Sequence, residues 1–226
     1  MMISVIIPTL NEEKNLPIVL RDVNEFFRKN KYEHEIIVVD GYSKDRTAEI
    51  AKKFGTKILY DNKSKGSALI TGFKHAKGDI IITMDADCSH VAMEFGLLIE
   101  GIKAGFDVCM GSRFIQGGGT EDMPWYRKLG NKFFAWLVNL FWGTNYSDLC
   151  YGYKSFRKSS VKKLNLTSVG FAIETEMAIK AAKRKMKILE VPSFEKRRRH
   201  GHGKLKTFRD GFIILRTILR EAVHTY

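Results

Sequence analysis

Asp85 and Asp87 flank Ala86 directly after the run Ile80, Ile81, Ile82, Thr83, Met84. An apolar, β-branched run of this length reads as a strand buried on both faces. Ligands of open α/β sheets bind at the carboxyl ends of such strands. Two further segments set down acids in the same way. Asp40 ends the run "EIIVVD", and Glu12 follows the run "ISVIIPTLNE". Carboxylates brought to one sheet edge repel unless a cation or hydrogen-bond donors compensate them. Hard oxygen ligands of this kind suit Mg²⁺ or Mn²⁺, which bridge a few carboxylates to a substrate diphosphate.

The elements that must position these acids follow from periodicity. "ISVIIP", "HEIIVVD", "TKILY", "DIIITMD" and "DVCMGS" read as short strands, and helical stretches lie between them. In residues 14–28, for example, Leu16, Val19, Leu20, Val23, Phe26 and Phe27 recur at helical spacing. Strand–helix alternation predicts βαβ units and an α/β fold with a mostly parallel sheet flanked by helices. Beyond residue 111 come a glycine loop (117–119), an aromatic helix (about 125–142), a mixed segment (150–192), a basic loop (196–204) and an amphipathic helix (205–223). Neither repeats nor a linker divide the chain, so one domain over 1–226 is expected.

The chain has 226 residues and a formal net charge of +13, which implies an anionic partner. Cys88, Cys109 and Cys150 are odd in number and widely spaced, which suggests neither a disulfide framework nor a zinc site and suits a reducing cytosol. The first strand begins at once, without a signal-peptide pattern. The longest apolar run, "FFAWLVNLFW", is interrupted by Asn139 and is far too short to span a membrane.

Taken together and in order, "PTLNE", "VVDGYSKDRT", "KGSAL", "DADCSH", "GSR" and "SDLCYGYKSFRK" resemble the family-2 glycosyltransferases of GT-A fold. Within that family the chain is most similar to the dolichol-phosphate mannose synthases and related polyprenyl-phosphate hexosyltransferases. The resemblance implies that Pro8, Leu10, Glu12, Val39 and Asp40 hold the nucleoside, and that Lys65, Asp85 and Ala86 line the nucleotide-sugar. Asp87 would ligate Mg²⁺ or Mn²⁺, with Asp85 and Ser89 as further members of the metal shell. Gly41 stands where the family often has a second Asp. No QxxRW motif is present, which argues against a processive polysaccharide synthase. The halves 1–111 and 112–204 would then bind donor and acceptor respectively, with 205–226 as an interfacial helix.

The same resemblance gives Arg113, Arg127, Asn131, Arg198 and Lys204 to the acceptor phosphate or the donor diphosphate, and makes Asp148 a site candidate. Arginine's planar fork suits phosphate, although a solvated basic face is the ordinary alternative for any one of these residues. His90 is expected to order the turn after Asp87, and neither His200 nor His202 is expected to act as a base. A phosphate nucleophile needs none, being mostly dianionic at neutral pH. In the last helix Phe208, Phe212, Leu215 and Leu219 form a stripe with Arg209, Arg216 and Arg220 outside it. Such a stripe lies either on a membrane interface or on the protein's own core. The expected reaction is inverting transfer of a hexose, mannose from GDP-mannose first, to dolichyl or polyprenyl phosphate, on the cytoplasmic face of a membrane. UDP-glucose or UDP-N-acetylglucosamine as donor, and a non-lipid acceptor, remain open. Nucleic acid is not expected as a partner, because no recognition fold accompanies the basic run.

Overall fold

The computed structural model describes residues 1–223; residues 224–226, the end of the expected C-terminal segment, lie outside the described residues. The chain runs β1 (Met2–Thr9), α1 (Leu16–Asn30), β2 (Glu33–Asp40), α2 (Thr47–Lys53), β3 (Lys57–Tyr60), α3 (Lys65–His75) and β4 (Ile80–Thr83). It continues through α4 (Phe95–Lys103), β5 (Val108–Ser112), β6 (Gly119–Thr120), α5 (Trp125–Trp142), β7 (Lys154–Arg157) and α6 (Lys158–Leu164). The last elements are α7 (Ala172–Lys183), β8 (Ile188–Pro192), β9 (Phe194–Glu195) and α8 (Thr207–Val223).

The main sheet has the order β3-β2-β1-β4-β7-β5-β8. All of its pairs are parallel except those that β7 makes with β4 and β5. The α/β, mostly parallel architecture is therefore as the alternation of strand and helix required. Chain order reverses at β1: β2 and β3 build outward on one side, and the chain returns to add β4 on the other. The crevice beyond the carboxyl ends of β1 and β4 is the topological switch point, where an open α/β sheet takes its ligand. Glu12 follows the first of these strands and Asp85 and Asp87 follow the second.

Alternation along β1 explains the two cores. Ile3, Val5 and Ile7 face α1 and α4 in one apolar cluster, while Ile6 joins Leu69, Phe73, Met177 and Ile218 in the other. The mixed segment 150–192 resolves into β7, α6, α7 and β8. Strand β7 was hidden in "KSFR" because its fully buried Lys154 and its arginine are untypical of a central strand. Helix α7 carries acids and lysines on buried positions, so it lacks an apolar stripe to betray it.

Helix α3 lies so close to β1 that a Cβ added at Gly72 would stand 2.4 Å from Cγ2 of the fully buried Ile6. Gly72→Ala gains helix propensity of about 1 kcal/mol, but overpacking a rigid core costs about 1–3 kcal/mol. The clash should win because Ile6 sits mid-strand with neighbours on both sides. Thermal unfolding of Gly72→Ala is expected at a lower Tm than wild type, and an unchanged or raised Tm would contradict this packing.

Candidate active site

A cavity of about 1150 Å³ opens at the switch point. Its lining includes Pro8, Leu10 and Gly41, the charged residues Lys65, Asp85 and Asp87, and Arg113, Arg127 and the start of α8. Its volume is at the upper end of that of small-ligand sites.

The acids after β1 and β4 are held by cations from distant parts of the chain. Arg198 Nη1 lies 3.1 Å from Glu12 Oε1, and its Nη2 lies 3.0 Å from Asp87 Oδ2. Lys204 also reaches Glu12 Oε1, at 3.3 Å, and donates to the Leu10 carbonyl. Backbone bonds lay the basic loop over this edge: Lys196 N–H donates to the Ser89 carbonyl and Arg199 N–H to that of Asp87. Asp85 pairs instead with Lys65, Nζ to Oδ1 at 2.6 Å. Burial works to raise the Asp85 pKa, but the Lys65 ammonium overcomes it and holds the carboxyl at about 2.

The turn between these acids is built by local bonds. Ser89 N–H donates to Asp87 Oδ1 at 3.0 Å, and Asp85 N–H donates to Nδ1 of His90 at 3.0 Å. The His90 ring stacks on Tyr153 at 4.6 Å, and burial pushes its pKa down. A neutral imidazole that accepts at Nδ1 is thus a structural part of the turn, as its place beside the acids suggested. Cys88, within the turn, has φ of +69°, a left-handed conformation uncommon for a residue with a side chain.

On the far side, Arg113 is gripped from behind. Its Nε and Nη2 bond the two oxygens of Asp148 at 2.6 and 2.9 Å, and its Nη1 bonds Glu195 at 2.9 Å. The guanidinium also lies 4.3 Å from the Tyr151 ring centroid. Asn131 donates to Asp148 Oδ1 at 2.6 Å and accepts from the N–H groups of Leu149 and Cys150. Arg127 donates to Thr207 Oγ1 and to the Leu205 carbonyl, tying α5 to the start of α8.

The structure separates the expected site residues into those that face the cavity and those behind it. Pro8, Leu10, Glu12, Lys65, Asp85, Ala86, Asp87, Arg113, Arg127, Asn131, Arg198 and Lys204 line it. Val39 does not: its side chain is core beneath α3. Asp40 is buried, and its oxygens accept from Thr9 Oγ1 and from the Ser43 N–H and hydroxyl, so Gly41 forms the wall in its place. Ser89 is buried and serves the turn. Asp148 is fully buried and acts on Arg113 as a positioning residue. Glu174, Glu195, Tyr151 and Gly152 line the cavity without having been singled out from the sequence. The last two lie within "SDLCYGYKSFRK", but nothing in the local pattern shows which way they face.

Among the described residues no group of three or more His, Cys, Asp or Glu is placed to hold a metal ion. Asp85 is paired with Lys65 and Asp87 with Arg198, and of the two Asp87 is the carboxylate that the family resemblance first gives to a metal. This fits a hard divalent ion that takes a single protein carboxylate and completes its shell with substrate phosphate oxygens and water. An ion there would displace Arg198 from Asp87 Oδ2.

An acid-tipped switch point, a lysine and arginines around one cavity, and this strand order define a GT-A nucleotide-sugar fold. The chain belongs to glycosyl transferase family 2, whose family model matches residues 4–164. It is 38% identical over 214 residues to a dolichol-phosphate mannosyltransferase of Pyrococcus furiosus, covering 91% of this chain and 60% of that protein. It is 31% identical over 225 residues to the low-salt glycan biosynthesis hexosyltransferase Agl6 of Haloferax volcanii, covering 97% of this chain and 54% of that one. The chain thus spans somewhat more than half the length of these relatives. Glucosyl-3-phosphoglycerate synthase from Mycobacterium tuberculosis, solved with Mn²⁺, UDP and phosphoglyceric acid, superposes with a TM-score of 0.78 at 18% identity. That likeness covers 100% of this chain and 80% of the synthase and shows the shared fold.

The Asp148–Arg113 pair should govern acid stability. Burial works to raise the Asp148 pKa, but the Arg113 guanidinium offsets it and holds the carboxyl below the usual range. A depressed folded-state value adds stability above the unfolded pKa of about 3.9, which is lost as pH falls through the folded value. Asp148→Asn leaves Arg113 half-paired and should cost about 3–5 kcal/mol at neutral pH. Chemical denaturation at pH 7 and below pH 4 is expected to show a large deficit that narrows in acid. A deficit equal at both pH values would mean that the ion pair is not its source.

Proposed function

We propose that the protein transfers a hexose from a nucleotide-sugar to the phosphate of a dolichyl or other polyprenyl lipid, with inversion, while bound peripherally to a membrane. The observation that carries this reading is the continuity of the cavity. One cavity is lined by the acids at the switch point, by Arg113 and Arg127, and by Phe208 and Phe212 at the start of α8. A cavity lined by both charged and apolar side chains suits an acceptor with a phosphate head and a hydrocarbon tail. The name of the Pyrococcus relative supports the dolichol-phosphate acceptor, and that of the Haloferax relative supports hexose transfer.

In this reading Pro8, Leu10 and Gly41 hold the nucleoside, and Asp87 holds Mg²⁺ or Mn²⁺ against the diphosphate. A divalent ion bound at Asp87 would supply charge neutralisation for the leaving group. Arg198 and Lys204, released from Asp87 and Glu12, are within reach of the same phosphates. The acceptor needs orientation more than deprotonation, since a phosphate monoester with a second pKa near ~6 is mostly dianionic at neutral pH. Arg113, its fork fixed by Asp148 and Glu195, and Arg127 supply that orientation. GDP-mannose is the preferred donor, with UDP-glucose and UDP-N-acetylglucosamine as the other candidates.

The test is transfer of radiolabelled hexose from each donor to dolichyl phosphate in the presence of Mn²⁺. Asp87→Ala should lower kcat/KM by at least about 100-fold while leaving the Tm near that of wild type, because Asp87 is not part of the core. Near-normal transfer by this variant at the same Mn²⁺ concentration would remove the metal role. Transfer by wild type to water-soluble acceptors alone would remove the lipid one.

Membrane attachment follows from α5 and α8. On α5, Asn131, Ala135 and Val138 face inward, whereas Trp125, Phe133, Trp136 and Phe141 are exposed. On α8, Ile214, Thr217 and Ile218 meet the core, whereas Phe208, at 92% exposure, Phe212 and Leu219 face out. The stripe read from the sequence is thus the outer face, and a second apolar face packs on α5 and α7. Of the basic residues, Arg198 and Lys204 are turned inward to Glu12 and Asp87, and Arg197, Arg199, Lys206 and Arg209 are left for lipid headgroups. Each is worth about 1 kcal/mol at an anionic surface. No helix among the described residues is long and apolar enough to cross a membrane. Co-sedimentation should show binding to anionic vesicles that weakens with salt and drops at least about fivefold in Phe208→Ser/Phe212→Ser. Equal recovery in the supernatant for all lipids and salts would contradict it.

A further inference from the structure

Lys154, Glu174, Lys65 and Asp85 form a row of alternating charge from the centre of the sheet to the cavity. Lys154, on β7, is fully buried; its Nζ donates to the Tyr151 carbonyl and lies 3.7 Å from Glu174 Oε2. Glu174, on α7, is 2% exposed, and its Oε1 lies 3.2 Å from Lys65 Nζ. Lys65 completes the row with its 2.6 Å contact to Asp85. Neither Glu174 oxygen accepts a well-formed hydrogen bond, so the two ammonium groups are what balance its buried charge. A carboxylate in that setting is costly for packing alone, where an apolar side chain would serve better.

The surroundings point to a ligand-facing purpose. The row meets the cavity at Gly152, where an added Cβ would come within 3.0 Å of both Glu174 Oε1 and Lys65 Nζ and 3.5 Å of Asp85 Oδ2. A side chain there would fill the corner. Phe171 closes it from the α7 side, 5.5 Å from Lys65 Nζ to the ring centroid. Lys65, Asp85, Gly152 and Glu174 line the same cavity as Pro8, Leu10 and Gly41, which the donor reading gives to the nucleoside. The Lys65 ammonium is ion-paired with Asp85 Oδ1 at 2.6 Å and Glu174 Oε1 at 3.2 Å, and it lines the cavity, where it can also donate to a ligand.

Resting on the donor reading above, we propose that Glu174 is a positioning residue for the hexose end of the nucleotide-sugar: it fixes Lys65 beside Asp85 so that both meet the sugar hydroxyls. Lys65 donates and Asp85 accepts, a pairing suited to adjacent hydroxyls. Without Glu174 the Lys65 side chain keeps a single anchor and can swing along the cavity, and Lys154 is left as a buried cation without a counter-ion.

Calorimetric titration with Mn²⁺ present separates the hexose from the nucleotide. The probes are GDP-mannose, UDP-glucose and UDP-N-acetylglucosamine, each set against its own nucleoside diphosphate. Wild type is expected to bind one intact donor more tightly than the matching diphosphate. Glu174→Gln should abolish at least about tenfold of that difference while changing diphosphate Kd less than about twofold, and Glu174→Asp should recover part of it. Because Glu174→Gln strands Lys154, the double variant Lys154→Met/Glu174→Gln is measured alongside it; it removes both charges, should restore the Tm, and should not restore the hexose difference. A folded Glu174→Gln or double variant with the wild-type difference overturns the proposal. So does a wild type that binds donor and diphosphate equally, which leaves nucleotide binding intact. A wild type that binds no nucleotide or nucleotide-sugar overturns the donor reading and this inference together.

Discussion

The structure is organised by the cost of placing carboxylates side by side at one edge of a buried sheet. Glu12, Asp85 and Asp87 come to that edge because parallel strands all present their carboxyl ends there. Left alone they would repel one another and lose solvation. Each is therefore met by a cation from elsewhere in the chain: Lys65 from the start of α3, Arg198 and Lys204 from the loop before α8.

The same arrangement prepares the site for an anionic substrate. Positive groups that balance the acids in the free protein are already beside the place where a diphosphate and its divalent ion would sit. In the proposed reading, binding would exchange one set of ion pairs for another. Arg113 differs in being held on three sides, by Asp148, Glu195 and the Tyr151 ring, so its orientation is fixed before any ligand arrives. Preorganised groups of this kind avoid reorganisation during reaction. Arg198 and Lys204 are the adjustable cations, and Arg113 is the rigid one.

Helix α7 links the two ends of the molecule. Its Glu174 faces the cavity through Lys65, while its Glu176 accepts from Thr167 and Ser168 and pairs with Lys180 and with Arg220 of α8. The exposed apolar faces of α5 and α8 border the mouth of the same cavity.

The sequence by itself determined the α/β class, the acids at the strand ends, the family and most of the charged residues proposed for the site. It did so because parallel strands buried on both faces leave unbroken apolar runs, and a polar residue at the end of such a run is conspicuous. The extents of α5 and α8 were legible for the same kind of reason, helical periodicity. Tertiary structure alone decided the rest. The place of β7 between β4 and β5 depends on pairings far apart in the chain, and its buried Lys154 disguises it. Asp148, Asn131 and Ser89 stand as polar residues near site motifs, but only their partners show that they hold other groups in place. Whether Arg198 faces lipid or Asp87, and whether Phe208 faces core or solvent, depends on how the last loop and helix close over the sheet edge. The spacing of residues along the chain carries no record of that closure.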